Sequence, residues 1–145
     1  MKLYIYKEAK TRIPAKAIHA LFALIIESET KPDWKADINL VFTHDRRLRK
    51  LNAKYRSKDK ATDVLSFNVD APSLAGGVFG EVYISCETAK RQAEEYGLSL
   101  VQEYLRLTCH GLLHLFGYDH IRSSDKRTMT SREQMYLSQI DGGVR

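Results

Sequence analysis

Residues 110–120 read His-Gly-Leu-Leu-His-Leu-Phe-Gly-Tyr-Asp-His, and this string restricts the fold more than any other part of the chain. The stretch leading into it is apolar nearly all round, so it reads as a helix lying in the core. His110 and His114 are four apart, so both imidazoles leave the same face of that helix. Gly117 suits a left-handed stop, after which the chain folds back and brings His120 toward the same place. Three neutral histidines with one coordination position left for water describe a catalytic zinc, one ion per chain.

Blander readings stand beside this one. A lone histidine on an apolar face is usually a satisfied core residue, but three at this spacing with a glycine at the turn are hard to obtain that way. A closed structural zinc would need Cys109 as its fourth ligand. Cys109 neighbours His110, about 100° around the helix, and so points elsewhere. Asp119 is a candidate to orient an imidazole from behind, or equally to cap the helix end. The spacing also matches the metzincin proteases, with Gly111 where they carry the glutamate that acts as general base. Its absence weakens a protease reading. RNA supplies its own nucleophile, a 2′-hydroxyl, so phosphodiester cleavage does not need that glutamate.

Charge points the same way. The chain has 145 residues, a net charge of +5, 43% hydrophobic and 28% charged residues. Those values are ordinary for one soluble globular domain spanning 1–145, and they argue against a disordered chain or a rod. Eight basic residues lie between positions 45 and 60: Arg46, Arg47, Arg49, Lys50, Lys54, Arg56, Lys58 and Lys60. With Asp45 and Asp59 the segment carries +6, leaving −1 for the rest of the chain. Such a segment can neutralise phosphates, although basic clusters are often only a solvated face. The longest apolar run is seven residues, 20–26, far short of the roughly 20 that span a membrane. No secretory signal is visible, and the two cysteines outline no disulfide framework, so the default address is the cytoplasm.

Hydrophobic periodicity predicts strands at residues 2–6, 37–43, 62–69 and 78–85. Helices are expected at 15–28, from 43 or 44 through the basic segment, from 85 or 86 to about 96, from 99 to about 116, and from 125 to about 140. The second of these should turn Leu48, Leu51 and Tyr55 inward. Residues 72–77 read as a loop rich in small residues, and the tail 141–145 as a fraying end.

The 110–120 string resembles the signature of the bacterial YbeY family, endoribonucleases that mature ribosomal RNA. Two more stretches are similar to that family: 51–67, Leu-Asn-Ala-Lys-Tyr-Arg-Ser-Lys-Asp-Lys-Ala-Thr-Asp-Val-Leu-Ser-Phe, and 80–85, Gly-Glu-Val-Tyr-Ile-Ser. Together they span about half the chain. The chain departs at Ala61 and Asn68, where the family often has proline; neither position supplies chemistry. The resemblance implies that His110, His114 and His120 bind zinc and that Arg56 is the functional arginine. A guanidinium can also grip a phosphate at two points on its own chemistry. Arg46, Arg47, Arg49, Lys50, Lys54, Lys58 and Lys60 would then guide the RNA backbone. Asp63 and Ser66 either line the same groove or serve strand-end hydrogen bonds.

The expectation is an α+β fold, a small mixed four-stranded sheet packed with about five helices, with zinc at the end of a core helix. The expected function is zinc-dependent cleavage of single-stranded RNA, in maturation of the small-subunit ribosomal RNA 3′ end and in ribosome quality control. Ribosomal RNA and the ribosome or its proteins are the implied partners, with no membrane. The alternatives are a metallopeptidase, or a ribosome-associated zinc protein without catalysis.

Overall fold

The computed structural model describes residues 1–32, 34–69, 77–119 and 123–140. The expected tail at 141–145, most of the 72–77 loop and the third histidine, His120, lie outside these residues. The elements run β1 (Leu3–Lys7), α1 (Ala15–Glu29), β2 (Asp37–Thr43), α2 (Asp45–Arg56), β3 (Val64–Asn68), β4 (Val78–Ser85), α3 (Cys86–Tyr96), α4 (Leu100–Leu115) and α5 (Ser123–Leu137). This is the anticipated α+β arrangement of four strands and five helices, with ends mostly within two or three residues of those read from periodicity.

The sheet order is β1-β2-β4-β3. β1, β2 and β4 are parallel, and β3 runs antiparallel to β4 along an outer edge. Ile38, Leu40, Phe42, Val82 and Ile84 are fully buried on one face, against Ile18, Leu21 and Ile25 of α1 and Leu105, Leu112 and Leu113 of α4. Each such aliphatic side chain contributes about 1.5–3 kcal/mol through burial. The other face is covered in part by α2, where Val41, Tyr83 and Leu48 form a second, smaller cluster. That is why Tyr83, polar-facing by simple alternation, is only 8% exposed.

One inward expectation fails. Leu48 is buried and Leu51 half-buried, but Tyr55 is 57% exposed. By its last turn α2 has reached the sheet's edge strand, where the Tyr55 ring meets Phe67 of β3 at a centroid distance of 5.2 Å.

Local chemistry fixes the helix ends near the site. Ser99 and Gln102 form a reciprocal capping box that starts α4. At its other end Gly117 adopts φ 100°, a left-handed conformation that L side chains rarely adopt. The chain leaving that turn is fastened by Tyr118, whose hydroxyl donates to Glu29 at the end of α1 at 3.0 Å. The Tyr136 hydroxyl donates to the same carboxylate from α5 at 2.5 Å. Burial, then the bond to Glu29, pushes both phenols up, Tyr136 to about 12.

Candidate active site

α4 presents Arg106, His110 and His114 at successive i,i+4 positions, and all three line one groove of about 810 Å³. The Nε2 atoms of His110 and His114 are 3.2 Å apart. His110 Nδ1 lies 2.5 Å from Glu133 Oε1 on α5. A carboxylate only accepts, so His110 donates from Nδ1, and in the neutral ring its Nε2, the atom that faces His114 Nε2, is the acceptor.

The facing wall is β3 and the segment before it. Ser66 donates its hydroxyl to the Gly111 carbonyl at 2.8 Å, and Asn68 donates its amide to the Leu115 carbonyl at 3.0 Å. These two bonds tie the edge strand to the histidine helix. The helix sits so close that a β-carbon built at Gly111 would stand 2.5 Å from Val82 Cγ1 and 3.2 Å from Ser66 Oγ and Val64 Cγ2. Position 111 therefore has no room for a glutamate, which adds a steric argument to the chemical one against a protease.

Arg56 ends α2 and crosses the strand edge. Its guanidinium donates to the Ser66 carbonyl at 2.8 Å and lies 5.3 Å from the Phe67 ring centroid. Ser57 then takes the left-handed conformation (φ 55°) and turns the chain back. Asn52, nearly buried, donates its side-chain amide to the Lys60 carbonyl at 3.0 Å, which fastens the returning loop to α2. Lys58 and Lys60 thereby come to line the groove with Arg56. At one end Asp63 accepts from the Val64 amide at 2.8 Å and from Gln92 at 3.3 Å. Behind it Glu103, fully buried, is held by Arg106 through two 2.7 Å bonds and by Gln92 at 2.6 Å.

The basic segment, single in sequence, divides in space. Arg56, Lys58 and Lys60 share the histidine groove, as do Asp63, Ser66 and Asp119. Arg47, Lys50 and Lys54 line a different groove on the outer face of α2. Arg46 and Arg49 flank a third hollow, where Arg49 holds Asp59 through bonds of 2.8 and 3.1 Å.

The sequence profile of the family described as Endoribonuclease YbeY matches residues 4–141. The chain belongs to the YbeY endoribonuclease family. A YbeY endoribonuclease of Desulforamulus reducens is 41% identical over 132 residues, covering 86% of this chain and 85% of the relative. One of Heliobacterium modesticaldum is 38% identical over 157 residues, covering 94% of each. The solution structure of TM1509 from Thermotoga maritima superposes with a TM-score of 0.62 at 26% identity, over 92% of this chain and 85% of that one.

Within this YbeY fold, two residues escaped the sequence reading. Glu133 is 23 positions beyond His110, yet a signal was present. It shares a helix stripe with the buried Met129, Tyr136 and Leu137, where a carboxylate needs a partner. Glu29 closes an apolar stripe on α1, and nothing near it in sequence announces the two tyrosines it receives. No helix among the described residues is long and apolar enough to cross a membrane.

Proposed function

We propose that this chain is a metal-dependent endoribonuclease that cuts single-stranded RNA during ribosomal RNA maturation, at the small-subunit 3′ end, and takes part in ribosome quality control. The observation that carries this reading is the Nε2 pair of His110 and His114, 3.2 Å apart and opposite Arg56, Lys58 and Lys60. Zinc–nitrogen bonds of about 2.0–2.1 Å at tetrahedral angles set two ligand nitrogens roughly 3.3 Å apart, so the pair fits one zinc ion. His110 and His114 would hold it with His120, while Glu133 keeps His110 in the tautomer a metal needs. The ribosomal task and the single-stranded preference rest on the family resemblance.

A bound zinc would supply Lewis-acid polarisation of the scissile phosphodiester or of the attacking oxygen. The chain's own residues do the rest. Arg56 grips the scissile phosphate and offsets the charge that grows in the transition state. Its bond to the Ser66 carbonyl uses one arm of the guanidinium, and its other N–H groups would donate to the phosphate. Lys58 and Lys60 neutralise phosphates on either side. The bonds from β3 to α4 hold the distance between arginine and histidines fixed while the strand binds.

The test is a paired assay of RNA cleavage and metal content on wild type, His114→Ala and Arg56→Ala. Wild type should carry about one zinc per chain and cut single-stranded RNA. His114→Ala should lose both properties, and Arg56→Ala should keep metal and lose activity. A 2′,3′-cyclic phosphate on the product would identify the 2′-hydroxyl as nucleophile. Equal cutting by wild type and His114→Ala would overturn the reading and favour a binding role. Metal removal that unfolds the domain would favour a structural zinc.

A further inference from the structure

A second groove, of about 610 Å³, lies on the outer face of α2 and the β3 edge. Its aromatic residues are Tyr55, Phe67 and Tyr83, with Phe67 in ring contact with both tyrosines. Tyr55 is the exposed member at 57%, at the last turn of α2. Lys50 and Lys54 stand over the same groove, one helical turn apart. Among the described residues neither lysine has a carboxylate partner, whereas Arg47 is bound to Glu8 and lies over the Tyr83 ring. The groove's one acid, Glu81, accepts from the Tyr83 hydroxyl at 3.2 Å.

This groove joins the histidine groove. Asn68 lines both, and Arg56 sits on the crest between them, bonded to Ser66 on one side and over the Phe67 ring on the other. A strand whose phosphate is held at Arg56 has a direct way across the β3 edge into the aromatic groove. Tyr55 offers one exposed ring, with the Lys54 ammonium 5.1 Å from its centroid, and a ring beside cations without carboxylate partners suits a sequence-tolerant single-strand site, because every base has a π-face and every nucleotide a phosphate.

We propose that the outer groove is a base-stacking subsite for the RNA strand beyond the cut, with a base on Tyr55 and phosphates on Lys50 and Lys54. The proposal rests on the ribonuclease reading of the neighbouring groove, and its test separates the two. A Tyr55→Trp variant places a fluorescent ring in the groove, with wild type correcting for the only natural tryptophan, Trp34. A 12-nucleotide oligouridylate should quench the added emission, whether or not any cutting occurs. Tyr55→Ala should weaken binding of that oligomer, or raise its KM, about tenfold, the equivalent of roughly 1.4 kcal/mol. Tyr55→Phe should bind like wild type, and kcat and cleavage of a dinucleotide should be unchanged in all three. Unaltered emission with wild-type affinity in Tyr55→Ala overturns the subsite even if the enzyme is active. Loss of ribosome association in Tyr55→Ala with oligomer binding intact overturns it in favour of a protein contact.

Discussion

Gly111→Ala sets two physical effects of opposite sign against each other. In an isolated helix the change is favourable by about 1 kcal/mol, because alanine loses less backbone freedom. Here the new methyl would stand 2.5 Å from Val82 Cγ1, where carbon atoms at rest sit about 3.5–4.0 Å apart, an overlap of at least roughly 1 Å. Val82 is fully buried in β4 and β-branched, so it yields little. Overpacking of this kind costs about 1–3 kcal/mol. Lifting α4 from the sheet also stretches the Ser66 bond to the Gly111 carbonyl, worth about 1 kcal/mol. The net is a loss of roughly 2 kcal/mol. At about 3 °C per kcal/mol for a chain of this size, Tm should fall by roughly 6 °C. Thermal melts followed by circular dichroism, with urea titrations on the same samples, measure it. Activity should drop further than stability, since the same displacement moves His110 away from Arg56. A Tm that rises by about 3 °C, as helix propensity alone requires, would refute the packing argument.

Two further outcomes are expected. Glu133→Gln keeps the shape but replaces an acceptor-only group, so zinc affinity measured by chelator competition should fall about 10- to 100-fold while metal-free stability changes little; undiminished affinity would show that His110 needs no orienting carboxylate. At Asp45 burial alone would raise the pKa, but hydrogen bonds from Ser85, Thr88 and Arg91 outweigh it and hold the carboxyl below its ordinary 3.8. Its stabilisation is therefore present above that value and lost as pH falls through the lower folded value. Asp45→Asn should cost about 1–2 kcal/mol at pH 7 and progressively less as pH falls below 3.8 in urea titrations, and a pH-independent cost would contradict the assignment.

Much of this architecture was legible because it rests on short-range patterns. Ser85, Ser99 and Gly117 mark helix ends through local bonding and dihedral preference, and they hold those roles in the fold. The His110–His114 pairing follows from helix geometry alone. What escaped depends on contacts between distant segments. Tyr55 fits an inward stripe, and only the width of the sheet shows that α2 runs past its edge. The basic run looks like one surface, but the helix turn and Ser57 divide it, with Arg56 and Lys58 in the histidine groove, Lys54 on the outer face of α2, and Lys60 between the histidine groove and the Arg49 hollow. Gly111 reads as a missing catalytic group until Val82 is seen beneath it.

The contact between Arg56 and the Ser66 carbonyl has a consequence for solution behaviour. Asp63 and Val69 bond to β4, through Ser85 and Phe79, so the even-numbered residues of β3 direct their backbone groups outward along the sheet's open edge. An open edge is a template for pairing with another chain. The Val64 amide there is taken by the Asp63 carboxylate, and the Ser66 carbonyl by the Arg56 guanidinium. The arginine proposed to grip the substrate thus also covers an open acceptor of the edge strand. An inactive Arg56→Ala preparation should be checked by light scattering before its lost activity is credited to phosphate binding alone.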